Sequence, residues 1–241
     1  MVLGVYFLTS MNPRTLQTID IKLCDSFEYP DLKITCLAFF SANESYCDLV
    51  ENFISKCRFF STVKMSIPDI CKKIDDPYVR AFCFSNVAIK TKDPKVCEEY
   101  IKDPDLIEMC LSNVPYSYFV YFTDSECRIL KHQSAKYTCL GLINKNSSLC
   151  ELMTNEPFQI GKCKALIERN INMCKDSPFC FKDLALLEKN PELCEKVNSP
   201  WAKAECVGTL YKDFERCNEL GGSISRDLCK LYALQAIELQ I

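Results

Sequence analysis

The stretch that decides the fold is Lys92-Asp-Pro-Lys-Val-Cys97-Glu-Glu-Tyr-Ile-Lys-Asp103-Pro-Asp-Leu-Ile-Glu-Met-Cys110-Leu-Ser-Asn-Val114. It carries the same start signal twice, Asp93-Pro94 and Asp103-Pro104. A capping Asp accepts from the orphan amides of a first helical turn, and Pro at the first helical position lacks only a donor that would be unpaired anyway. The stretch therefore predicts a short helix, a turn at Asp103 and a longer helix, with one cysteine on each arm. The signal recurs at Asp76-Pro77, Ser177-Pro178, Asn190-Pro191, Ser199-Pro200 and, with a weaker cap, Glu156-Pro157.

The eighteen cysteines extend this hairpin over the chain. Taken two at a time they form nine pairs, five of them with eleven intervening residues and two with twelve. Such self-similarity at a period of 20 to 30 residues marks a repeat architecture. The position before each first cysteine holds Leu23, Tyr46, Ile70, Val96, Leu149, Met173 and Leu193, and the third position after it holds Phe27, Val50, Ile74, Tyr100, Leu130, Met153, Val197 and Leu220. Four residues past the second cysteine stand Phe40, Val87, Val114, Ile143, Ile167, Leu184, Leu210 and Ala233. Steps of three and four keep each set on one helical face, and strand alternation is absent nearly everywhere. Glu126 and Arg216 break the position before the first cysteine.

Hairpin geometry selects the disulfide pairing. Cys97 lies six residues before Asp103 and Cys110 seven after it, so antiparallel helices rising about 1.5 Å per residue bring both thiols to one height. Pairing Cys83 with Cys97 around Asp93 leaves a mismatch of about 9 Å, beyond the Cα separation of about 7 Å that a disulfide tolerates. The expected bridges are Cys24–Cys36, Cys47–Cys57, Cys71–Cys83, Cys97–Cys110, Cys127–Cys139, Cys150–Cys163, Cys174–Cys180, Cys194–Cys206 and Cys217–Cys229. Closing a loop of about 12 residues stabilises by roughly 2.8 kcal/mol in the chain-entropy model. Such stapling suits an oxidising exterior, at the cell surface or beyond it, or the interior of a hyperthermophile.

Composition narrows the function classes. The net charge of -3 and pI near 5.4 argue against a general nucleic-acid binder, which needs a basic face. No apolar run reaches the roughly 18 residues of a membrane-spanning helix. The run Val2–Leu8 lacks a preceding Lys or Arg and reads as a short packed segment or the stump of a longer leader. No C-x-x-C occurs, so the two-residue knuckles of zinc and cluster sites are missing and no metal or other cofactor is expected. Every cysteine has a repeat-equivalent partner, which leaves no thiolate for redox chemistry; the short Cys174–Cys180 unit is the one deviant. The single histidine, His132, falls where the fifth hairpin should turn. Neither a P-loop nor a nucleophile elbow is present, and no catalytic residue is assigned. Asn43-Glu-Ser45 and Asn146-Ser-Ser148 match the glycosylation acceptor pattern.

The largest irregularity is Val114–Phe122, VPYSYFVYF. Pro115 should end the second helix of repeat 4. The aromatics Tyr116, Tyr118, Phe119, Tyr121 and Phe122 that follow are either an interface for a partner or a seam that buries its own rings and reorients the two halves; the seam is the favoured reading. The chain thus divides into an N-terminal segment (1–22), repeats 1–4 (23–114), an aromatic insert (115–125) and repeats 5–9 (126–241).

The pattern of Asp93–Val114 and its repeats resembles a two-cysteine helical repeat of secreted or cell-surface proteins of archaea and some bacteria. In architecture alone it is also similar to helix-hairpin solenoids such as the tetratricopeptide and Sel1-like families, whose signature Trp, Gly and Tyr positions it lacks. The resemblance implies a scaffold or interaction role and transfers no catalytic residues. The expectation is an all-α tandem array of about nine disulfide-linked hairpins, an α-solenoid or a curved helical bundle. It would act without catalysis, binding a protein partner or associating with itself. The alternatives are a thiol redox protein or other enzyme with its site near His132 and the insert, and a cysteine-based metal binder.

Overall fold

A computed structural model describes residues 20–154, 157–175 and 177–240. The Val2–Leu8 run and Glu156 lie outside the described residues. Within them the chain is all helical, with no strand. The long helices are α1 (Pro30–Ser41), α2 (Ile54–Ser61), α3 (Pro77–Thr91), α4 (Pro104–Ser112), α5 (Gln133–Asn144), α6 (Pro157–Glu168), α7 (Pro178–Glu188), α8 (Pro200–Tyr211) and α9 (Ser223–Glu238). Each follows a short helical arm that carries the first cysteine of its repeat, so helix and repeat share a number.

The starts of the long helices follow from their capping residues. Asp76 accepts from the amides of Tyr78 and Val79, Asp103 from those of Asp105 and Leu106, Ser177 from Cys180 and Ser199 from Ala202. The short arms are less regular than expected. Five are 3-10 rather than α, and four of these begin at Asn43, Asn146, Asn170 and Asn190, whose Oδ1 accepts from the amide two residues on. An asparagine that closes this local bond competes with the α-helical ladder, and an arm of four to six residues is too short to repay α nucleation. In both Asn-x-Ser triplets the serine hydroxyl donates to the same Oδ1, at 2.8 Å for Ser45 and 2.7 Å for Ser148. The spacing thus serves the cap. Around the fourth arm, Asp93 accepts from the amide of Lys95 and the helix begins at Lys95, one residue past Pro94.

Nine disulfides close the hairpins, joining Cys24–Cys36, Cys47–Cys57, Cys71–Cys83, Cys97–Cys110, Cys127–Cys139, Cys150–Cys163, Cys174–Cys180, Cys194–Cys206 and Cys217–Cys229. Their Cα separations run from 5.3 to 5.9 Å. All eighteen cysteines are buried and none is free. The sulfurs form the inner edge of each hairpin, where they pack with the periodic apolar residues into the core, those of Cys150 and Cys163 in a small cluster of their own with Met153.

The array curls until its ends meet. Helix α9 is buried nearly all round, from Ser225 to Ala236, because it packs on α8 and also on the first three repeats. Its Asp227 Oδ2 accepts from the amides of Glu28 (2.8 Å) and Tyr29 (2.7 Å) just before α1. Its Tyr232 ring meets Phe60 of α2 edge-on, and its Gln235 donates to Asn86 of α3 at 2.9 Å. Asn86 in turn donates to Phe59 O and Thr62 Oγ1. At Gly208 of α8 an added Cβ would lie 2.3 Å from Cys229 O, so only glycine lets these two helices approach this closely. The molecule is a curved helical bundle closed around its last helix.

Candidate functional site

With every cysteine in a bridge, the thiols offer neither a nucleophile nor a metal ligand. Among the described residues no group of His, Cys, Asp and Glu is arranged to hold a metal ion. Other features must supply a site, and three stand out among the described residues: the insert with His132, an interior cluster of charges, and an exposed aromatic rim.

The insert forms a 3-10 turn over Tyr116–Tyr121 that packs against α5 and α7. Phe119 is 1% exposed, Tyr118 is buried, and Tyr116 and Phe122 lie half-buried against the core. Only Val120 and Tyr121 face outward. Burial pushes the Tyr118 phenol well above the usual tyrosine range. His132 precedes the first residue of α5. Its Nδ1 is 3.1 Å from Ser134 Oγ and its Nε2 is 3.5 Å from Glu108 Oε2. A small hollow of about 90 Å³ joins these three to Tyr116, Phe119 and Lys162. Structure thus brings together the two features the sequence singles out. The serine, however, is two residues from the histidine in the same turn, a local contact of the kind that caps helices.

Deeper in, charges from four repeats meet beside Tyr232 of a fifth. Lys162 of α6 pairs with Asp183 of α7, and Lys182 of α7 pairs with Glu205 of α8 at 2.8 Å. Burial works against the charged form of Lys182, but Glu205 and Asp183 outweigh it and hold the ammonium protonated beyond the ordinary lysine range. Lys56 of α2 donates to Tyr232 of α9 at 2.9 Å, and desolvation lowers its pKa. These pairs tie α6, α7 and α8 to one another, and Lys56 ties α2 to α9. Ion pairs this deep add little net stability, because desolvation offsets their attraction.

The rim is the feature sequence reasoning missed. In repeats 3, 6, 7 and 8 the residue after the helix-starting proline is aromatic: Tyr78, Phe158, Phe179 and Trp201. This position points away from the buried stripe, and the three rings of consecutive repeats are 55%, 51% and 46% exposed. Phe158 and Phe179 border a groove between α6 and α7 with an apolar floor that includes Met173 and the Cys174–Cys180 bridge. Trp201 stacks at a tilt on Phe53 of repeat 2, with centroids 5.1 Å apart. The visible signal is the Pro-aromatic dipeptide at one repeat register.

Comparison with protein-family models, with curated proteins and with solved structures finds no match for this chain.

Proposed function

We propose that the chain is a non-enzymatic binding scaffold, disulfide-braced for an oxidising setting outside or at the surface of a cell, and that its aromatic rim takes an apolar segment of a protein partner. One observation carries this reading: equivalent positions of three consecutive repeats place Phe158, Phe179 and Trp201 at the surface. Large aromatics supply contact area at low entropic cost and are enriched where partners bind. A rigid array that repeats one side-chain position makes a spaced row of such anchors. No helix among the described residues is long and apolar enough to cross a membrane, and nine bridges fit an oxidising environment.

A random peptide library displayed on phage and selected on the immobilised, oxidised chain tests the reading. Peptides rich in apolar and aromatic residues should be enriched. Their affinity should fall by about tenfold or more for the triple variant Phe158→Ser, Phe179→Ser, Trp201→Ser. Failure to enrich any peptide, or equal binding to the triple variant, would sink the proposal. The three side chains are exposed, so the variant should fold.

A further inference from the structure

The opposite ends of the long helices carry a second regularity. The residue that ends α3, α5, α7 and α8 is lysine in the left-handed conformation, at Lys92, Lys145, Lys189 and Lys212, with φ between 50° and 56°. Cations at helix C-termini complement the helix dipole, which accounts for the residue type. It does not account for their grouping. Lys92, Lys189 and Lys212 line one cleft of about 280 Å³, together with Tyr118 and Tyr121 of the insert and Thr209. Among the described residues no carboxylate lines it, and none of the three lysines has an ion-pair partner there. The acids that follow Lys92 and Lys212, Asp93 and Asp213, accept from the amides of Lys95 and Glu215, and Glu188, which precedes Lys189, is exposed and does not line the cleft.

We propose that this cleft is an anion site, in which Lys92, Lys189 and Lys212 supply the charge and Tyr118 a hydroxyl donor for the carboxylate or phosphate of a small organic ligand. Three like charges held around one hollow repel one another unless a counter-charge enters. Lys212 shows the cost: burial and then the Lys189 charge lower its pKa. The volume lies just under the range of drug-sized ligand pockets, roughly 300 to 1,000 Å³, which limits the occupant to a small molecule. The exposed ring of Tyr121, with Lys92 Nζ 5.9 Å from its centre, and the side chains of Leu186 and Leu210 give the cleft an apolar wall for the carbon skeleton. The site lies at the helix ends away from the aromatic rim, so its test and that of the rim succeed or fail separately.

Calorimetric titration at low salt with inorganic phosphate, pyrophosphate and citrate tests it, the first two reporting phosphate and the last carboxylate. Saturable one-to-one binding of at least one of them is expected. Lys92→Asn, Lys189→Asn and Lys212→Asn each keep a residue that tolerates the left-handed cap, and each should weaken binding by about tenfold, the value of one lost charge-assisted hydrogen bond. Lys145→Asn, the same cap outside the cleft, should leave the affinity unchanged. The proposal is overturned if no anion saturates, if the three variants bind like the parent while only their Tm falls, or if Lys145→Asn weakens binding as much as they do.

Discussion

Between repeats 4 and 5 the chain itself crosses the gap, as the aromatic insert. Between repeats 9 and 1 no described segment crosses, and the two ends of the array meet through non-covalent contacts. The first junction is held by groups 31 and 33 residues apart, Lys95 paired with Glu126 at 2.9 Å and Glu98 accepting from the amide of Lys131, with Phe119 buried under α5 and the more distant α7. The second is held by groups about 200 residues apart: Asp227 on the Glu28 and Tyr29 amides, and Lys230 donating to Ser26 O at 3.0 Å. The bridges serve neither junction. Their sequence separations run from 6 to 13 residues and none joins two repeats. The staples therefore make each hairpin robust, and leave the closed shape to non-covalent contacts around α9.

The largest expected effect follows from that division. Asp227→Ala removes the acceptor of two backbone amides and the carboxylate 3.7 Å from the buried Lys230, which keeps only its bond to Ser26 O and its place over the Phe27 ring. Breaking a buried charged pair by deleting one member costs about 3–5 kcal/mol. Because the hairpins keep their bridges, helical content by circular dichroism should persist while the radius of gyration from solution scattering rises. Asp227→Asn, which keeps an acceptor, should stay compact. If Asp227→Ala remains as compact as the parent, the closure does not depend on this latch.

A smaller effect separates backbone from side-chain crowding. At Gly208 the obstacle to a Cβ is the main chain of α9, whereas at Gly141 the nearest atom is Ile167 Cδ1, the end of a side chain that can turn aside. Gly208→Ala should destabilise by about 1–3 kcal/mol, the usual cost of overpacking. Gly141→Ala should come out near neutral, since the gain in helix propensity, about 1 kcal/mol, offsets its strain. Denaturant midpoints measured at one m-value would decide. Equal losses at the two sites would mean that α8 and α9 are not in close backbone contact.

These two junctions also show what a sequence of this kind discloses. The hairpin is legible because everything that specifies it lies within one repeat: the Asp103 turn, cysteines nearly equidistant from it, and apolar residues at helical spacing. Even the broken positions have local causes. Glu126 stands where an apolar residue belongs because it closes a capping box with Thr123, and Arg216 because it reaches Glu219 and the Tyr211 ring. The closure is not legible. Asp227, Lys230 and Gln235 are ordinary polar residues of a long helix until repeats 1–3 curl round and bury them, and Gly208 is an ordinary helical glycine until Cys229 O comes to rest against it. The aromatic rim is an intermediate case. The Pro-aromatic dipeptides can be seen, but their exposure depends on which face each long helix turns inward. The lysine cleft needs α3, α7 and α8 to converge, which no local pattern reports.

Acid should pull the two junctions in opposite directions, and this is the subtlest test of their difference. Bonds from the Thr123 amide first, then from Lys95 and the Thr123 hydroxyl, push the Glu126 carboxyl down to about 2, from an ordinary value of 4.5. Its folded pKa is thus below its unfolded one, so its contribution is complete above about pH 4.5 and fades as the pH falls toward 2. The Tm difference between the parent and Glu126→Gln should be constant near neutrality and shrink across that window. Asp227 runs the other way. Burial lifts its carboxyl above the usual range despite the two amides, so the folded state takes up its proton more readily than the unfolded chain, and acidification relieves a cost that Asp227→Asn never bears. The parent should therefore gain on Asp227→Asn as the pH falls toward 3.8 and keep that gain below it, whereas it loses ground to Glu126→Gln from 4.5 downward. If both differences drift in the same direction, a general effect of net charge governs the acid response, and the contrast between an exposed seam and a buried latch fails.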